Sequence, residues 1–196
     1  EINQTIIMSL RTRIERDPKY SYLAARVLTN ELYRDVINTD EFQFNFEATY
    51  RAGLKTSIAR GVASERLDPR MIEFDFNALS SAIDISRDKL FEYLGIQTLY
   101  ERYFIKDLSQ QILEVPQYFW MRVAMGLALQ EEKSLWTQYA ISFYNIISTL
   151  RYTPSTPTLF HSGTSHPQMS SCYLTTVEDR LDHIFKSFGD NAQLSK

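Results

Sequence analysis

The sequence predicts a mainly α-helical protein that changes, from residue 153 on, into the opening strand and helix of an α/β unit. Three observations carry this. Apolar residues recur every three or four positions through most of the first 152 residues, which is the spacing of one helix face. At Tyr152 the composition shifts abruptly to a Pro, Ser, Thr and Gly loop, T-P-S-T-P-T-L-F-H-S-G-T-S-H-P. Beyond it, S-S-C-Y-L-T-T-V at 170–177 is rich in β-branched and aromatic residues, the composition of a strand, and an amphipathic stretch follows.

The elements follow in order. Ile6, Leu10 and Ile14 predict a first helix ending near Arg16. Asp17-Pro18 opens the second, because Asp can accept from free backbone N–H groups and Pro at the first helical position has no N–H to lose. Leu28, Leu32 and Val36 mark its buried face. A third helix, roughly 46–62, places Leu54, Ile58 and Val62 together, and a short one follows Asp68-Pro69. Ser86 reads as a cap before Arg87. The aromatic-dense run from Leu90 to Phe104 is predicted as two helical pieces divided at Gly95. Pro116 opens a helix, P-Q-Y-F-W-M-R-V-A-M-G-L-A-L, that is apolar on nearly every face and is expected to be wrapped by the others, with Arg122 paired to a carboxylate of a neighbouring helix. A long helix over about 133–152 carries Tyr139, Phe143, Ile146, Ile147 and Leu150 on one stripe. The last helix is expected to start at Asp179, as its cap, and to bury Leu181, Ile184, Phe185 and Phe188.

With 196 residues, of which 44% are hydrophobic and 13% aromatic, the chain can bury a sizeable core. A net charge of -3 with dispersed Lys and Arg leaves no footprint for a nucleic-acid backbone. The longest nearly uncharged apolar run, 118–129, is too short to cross a bilayer and contains Arg122, so no membrane partner is expected. One cysteine excludes an intrachain disulfide and fits a reducing, cytoplasmic setting. The missing initiator Met and the single strand–helix pair both predict a piece of a longer protein, since a parallel strand needs a neighbour.

Loops on a rigid scaffold concentrate functional groups, which directs attention to residues 153–182. Thr156, Thr158, Ser162 and Gly163, with loop amides, suit phosphate oxygens, although Ser, Thr and Pro also serve simply as turn formers. Cys172 reads on position alone as an inert small hydrophobe. His161, His166 and His183 with Cys172 match no zinc spacing, and Pro167 interrupts them, so no metal site is expected. Phosphate-binding glycine loops, dinucleotide fingerprints and nucleophile elbows are absent.

P-S-T-P-T-L-F at 154–160, S-S-C-Y-L at 170–174 and E-D-R-L-D-H-I at 178–184 together resemble the large, catalytic subunit of class I ribonucleoside-diphosphate reductase. D-P-K-Y-S-Y-L-A-A-R, E-Y-L-G-I-Q-T-L-Y-E-R-Y-F and E-V-P-Q-Y-F-W-M-R-V-A extend the likeness back through the chain. The resemblance implies the helical N-terminal domain of that subunit over 17–152, the first strand and helix of a truncated ten-stranded α/β barrel over 153–196, and a linker or remnant of an ATP-cone domain over 1–16. It implies that Thr156 contacts the substrate diphosphate and that Ser171 and Cys172 face the ribose. The cysteine would protonate the departing 2'-hydroxyl and end in a disulfide with a second cysteine. Asp179, Arg180 and Leu181 would begin the helix that binds an ATP or deoxynucleoside triphosphate effector, Arg180 standing where the family commonly has serine.

The partners so implied are a ribonucleoside diphosphate, nucleotide effectors, a radical-generating small subunit that holds the family's metal–radical cofactor, thioredoxin or glutaredoxin, and a second copy in a homodimer. This chain itself would hold no cofactor. The rival readings are a non-enzymatic helical interaction module with a structural cysteine and a phosphate-binding regulator.

Overall fold

The computed structural model describes residues 2–195, so the outer bounds of the expected domains, Glu1 and Lys196, lie outside the described residues. Nine α-helices and several short turns of 3-10 or π type make up the regular structure among them. They are α1 (Ile2–Arg11), α2 (Lys19–Ile37), α3 (Phe46–Ala63), α4 (Phe76–Ala82), α5 (Tyr93–Thr98), α6 (Pro116–Ala128), α7 (Trp136–Ile147), α8 (Thr156–His161) and α9 (Leu181–Leu194). No described helix is long and apolar enough to cross a membrane.

Local chemistry sets most boundaries. Asp17 Oδ1 takes the free N–H of Lys19 at 3.0 Å where α2 begins. The helix ends at Asn38, whose positive φ of 51° suits a residue tolerant of the left-handed region. Asp68 accepts from Arg70 N at 2.8 Å to start the 3-10 turn Pro69–Glu73. The cap expected at Ser86 is instead Asp84, whose Oδ1 accepts both Ser86 N (3.1 Å) and Ser86 Oγ (2.6 Å). Gly95 lies inside α5, and the break falls later, at the π turn Leu99–Tyr103.

Helix α6 is the centre of the fold. Every residue of it except Leu127 is buried, as its all-round apolar pattern requires. It packs on α7, α3, α8 and the 3-10 turn Ile85–Leu90, while α2 is held between α1 and α5. Phe119 meets Phe104 edge-on at 5.7 Å and lies tilted against Trp120 at 4.8 Å, and Trp120 stacks over Phe91 at 6.3 Å. Each such buried aromatic or aliphatic side chain contributes about 1.5–3 kcal/mol through removal from water. In α7 the buried stripe is Trp136, Ala140, Tyr144 and Ile147; Tyr139 and Phe143 are only partly covered, Ile146 is exposed, and Leu150, also exposed, lies beyond the end of the helix.

Three expectations about burial and strand formation also fail. In α1 the buried residue is Ile7, while Ile6 is exposed. No strand forms among the described residues, and residues 172–178 run as exposed chain without strand pairing; bridges are isolated ones such as Leu67 with Thr164. A strand exists only where a neighbour supplies hydrogen bonds, and β propensity cannot create one. For the same want of a partner element, most of the apolar face expected on α9 is uncovered: Leu181, Phe185 and Phe188 are exposed, and Ile184 is only partly buried.

Candidate functional site

The loop after α7 returns to the helical body through α8. Pro157 stands in the first turn of this short helix, and Thr156 is its first residue. The other end of α8 is fixed by Arg122 of α6, which is completely buried. Its Nη1 donates to Leu159 O and to Ser162 O, both at 3.0 Å, satisfying carbonyls that the helix end leaves free. Ser162 Oγ in turn donates to Val123 O at 2.7 Å. Gly126 is required by this contact, because a Cβ there would strike the backbone of Ser162 and Gly163.

A buried guanidinium needs an anion, and Glu114, 2% exposed, supplies it. Arg122 Nε donates to Glu114 Oε1 at 2.8 Å and Nη2 to Oε2 at 3.3 Å; Oε2 also accepts from Ile105 N at 2.8 Å. The carboxylate comes from the segment just before α6, not from a neighbouring helix as expected. Arg122 Nη2 also reaches Tyr103 O at 3.5 Å, and the guanidinium lies 5.1 Å from the Phe119 ring. One ion pair therefore ties three segments together: the π turn, the start of α6 and the end of α8.

Of the four residues expected to form an anion loop, Ser162 and Gly163 are buried in the body. Thr158 Oγ1 is shared between Ser155 Oγ and Met169 O, each at 3.3 Å. Thr156 remains exposed, its hydroxyl 3.3 Å from Tyr103 Oη. The bond from Thr158 to Met169 brings the chain back past α8 just before Ser170, Ser171 and Cys172, all three exposed. Cys172 is thus not the buried small hydrophobe that its position suggested.

Asp179 does not cap α9. It is exposed, and the residue before the helix, Arg180, makes no side-chain capping bond. Arg180 instead grips Asp182, Nη2 to Oδ2 at 2.7 Å and Nε to Oδ1 at 3.2 Å. His183 reaches back and accepts from Glu178 N at 3.1 Å through Nδ1, which fixes the approach to the helix. Leu181 is exposed. An open groove of about 630 Å³ runs between the extended chain and this helix, lined by Leu174, Thr176, Glu178, His183, Lys186 and Asp190. Among the described residues no three His, Cys, Asp or Glu side chains are grouped to hold a metal ion.

A second polar cluster lies deeper, marked in the sequence by nothing more than an Asp in a short turn. Asp88 accepts from Tyr33 Oη (2.6 Å), Tyr50 Oη (2.9 Å) and Gln117 Nε2 (2.6 Å), and Tyr144 Oη donates to Gln117 Oε1 at 2.7 Å. Burial pushes the Asp88 carboxyl up to about 6 despite three bonds that favour its charged form. Burial together with this carboxylate also raises Tyr33 and Tyr50.

Residues 89–167 match the family described as "Ribonucleotide reductase, all-alpha domain". Over its full length the chain is 49% identical to the ribonucleoside-diphosphate reductase subunit alpha of Chlamydia muridarum and 47% identical to that of Chlamydia pneumoniae, spanning 18% of each. It is 35% identical, again over its full length, to the protein of that name from Helicobacter pylori, spanning 24% of it. The matched family region contains Tyr103, Glu114, Arg122 and Thr156 and stops short of Cys172.

Proposed function

Because this chain belongs to the family of ribonucleoside-diphosphate reductase large subunits, we propose that it works within a reductase that converts ribonucleoside diphosphates to deoxyribonucleotides for DNA synthesis. The similarity over all 196 residues is the observation that carries the reading. The chain spans about a fifth of the curated relatives' length, so the rest of the machinery belongs to the longer protein.

In this reading residues 17–152 are the scaffold, residues 1–16 a linker or ATP-cone remnant, and residues 153–196 the start of the barrel. The extended chain at 172–178 becomes a strand when barrel neighbours offer it hydrogen bonds. Thr156 donates its hydroxyl to the diphosphate, and Ser171 and Cys172 stand at the ribose. The Cys172 thiol gives its proton to the 2'-hydroxyl, which leaves as water. Two thiols supply the two electrons that replace C–O by C–H, and Cys172 ends in a disulfide with a cysteine from the remainder of the protein, later reduced by thioredoxin or glutaredoxin. The exposure of Cys172 supports this role, because disulfide exchange requires access to the sulfur. It disfavours the reading of the chain as an interaction module with a structural cysteine.

Asp179, Arg180 and Leu181 are proposed to meet an ATP or deoxynucleoside triphosphate effector across a homodimer. Arg180, exposed and held by Asp182, would have to exchange that carboxylate for an effector phosphate. A separate small subunit carries the metal and generates the radical, and no residue of this chain is assigned to that group. A reducing, cytoplasmic setting would keep Cys172 as a thiol between turnovers.

The test is Cys172→Ser in the full-length protein, assayed with its small subunit and thioredoxin. Turnover is expected to fall to background while folding and effector binding survive. Retained deoxyribonucleotide production removes Cys172 from the mechanism.

A further inference from the structure

We infer that Tyr103 is a positioning residue for the phosphate contact at Thr156, its phenol selecting the orientation of the threonine hydroxyl. The inference rests on the reading of Thr156 proposed above and adds a second residue to it. Tyr103 Oη lies 3.3 Å from Thr156 Oγ1, and either hydroxyl can donate. A free threonine hydroxyl samples several staggered and rotated positions; one fixed neighbour selects among them. With Tyr103 donating, Thr156 keeps its own proton for a phosphate oxygen.

The phenol is suited to this because it is itself held. Its ring stacks on Phe160 of α8 at 4.4 Å and 19°, and Phe119 of α6 meets it edge-on at 6.4 Å. The backbone carbonyl of Tyr103 accepts from Arg122, the same buried guanidinium that fixes Leu159 O and Ser162 O at the far end of α8. Tyr103 and Thr156, 53 residues apart, are thereby referenced to one ion pair. Removing only the phenolic oxygen leaves the stacking, the edge contact and the carbonyl bond in place.

The experiment uses the full-length reductase and a ribonucleoside diphosphate at saturating effector, comparing Tyr103→Phe, Thr156→Ala and the double variant. Tyr103→Phe is expected to raise KM by about 3- to 10-fold, the worth of one neutral hydrogen bond, with kcat and thermal midpoint unchanged. The double variant should bind no worse than Thr156→Ala alone, since Tyr103 acts through that hydroxyl. A wild-type KM in Tyr103→Phe beside a raised KM in Thr156→Ala overturns this inference and leaves the Thr156 reading standing. So does a Tyr103→Phe effect that adds in full to Thr156→Ala. An unchanged KM in Thr156→Ala overturns both.

Discussion

At the scale of single residues, Asp88 makes the body of the protein sensitive to mild acid in the direction opposite to a paired surface carboxylate. Its folded value of about 6 lies above that of an unfolded aspartate, because burial penalises the charge more than Tyr33, Tyr50 and Gln117 relieve it. The native state then holds a proton that the unfolded chain has released, so this residue's contribution to stability falls as pH rises from about 4 to about 6 and is level above that. Asp88→Asn removes the effect. The stability difference between wild type and variant, from urea denaturation at a series of pH values, should change by roughly 1–3 kcal/mol across that window. A difference that stays flat from pH 4 to 7 contradicts the burial argument. None of this was readable from Ser86-Arg87-Asp88-Lys89, which looks like a solvated turn; the donors come from α2, α3 and α6, which only the fold brings together.

At the scale of elements, the fit of α8 against α6 is the contact that positions Thr156, and two glycines show how differently close approach is tolerated. A Cβ on Gly61 of α3 would meet the buried side chain of Leu67, which has rotamers to change. A Cβ on Gly126 would meet the backbone of Ser162 and Gly163, which has none. Gly126→Ala should therefore destabilise the protein by about 1–3 kcal/mol and, by moving α8, weaken the substrate contact proposed for Thr156, whereas Gly61→Ala should cost less and leave that contact unchanged. Thermal unfolding and substrate titration of the two variants check this, and equal effects would contradict it. The helix that carries Gly126 was legible in outline: Pro116 at its start and apolar residues on all sides announce a central element. The strand at 170–177 was not. Its composition is right, but strand formation is a property of two segments, and helix α9 shows the same lesson in an apolar face left mostly exposed among the described residues.

For the whole molecule, the helical architecture and the family could be read from ordered motifs such as P-S-T-P-T-L-F and S-S-C-Y-L, because these keep their chemistry without reference to the rest of the chain. The arrangement that supports them could not. The Glu114–Arg122 pair and the Tyr103–Thr156 contact join segments up to 53 residues apart, and nothing in an aromatic-dense run marks one tyrosine for such a task. The assembled picture is a buried helix that pins a short one, so that Thr156 and the exposed chain through Cys172 are presented from the packed helical body. The proposed chemistry is best tried on the thiol itself. The full-length enzyme, pre-reduced, is given its small subunit and effector but no external reductant, then quenched and alkylated, and the Cys172 peptide is read by mass spectrometry. Addition of a ribonucleoside diphosphate should convert Cys172 from an alkylatable thiol to a disulfide in step with one round of deoxyribonucleotide formation; product formed while Cys172 remains fully alkylatable would contradict its role.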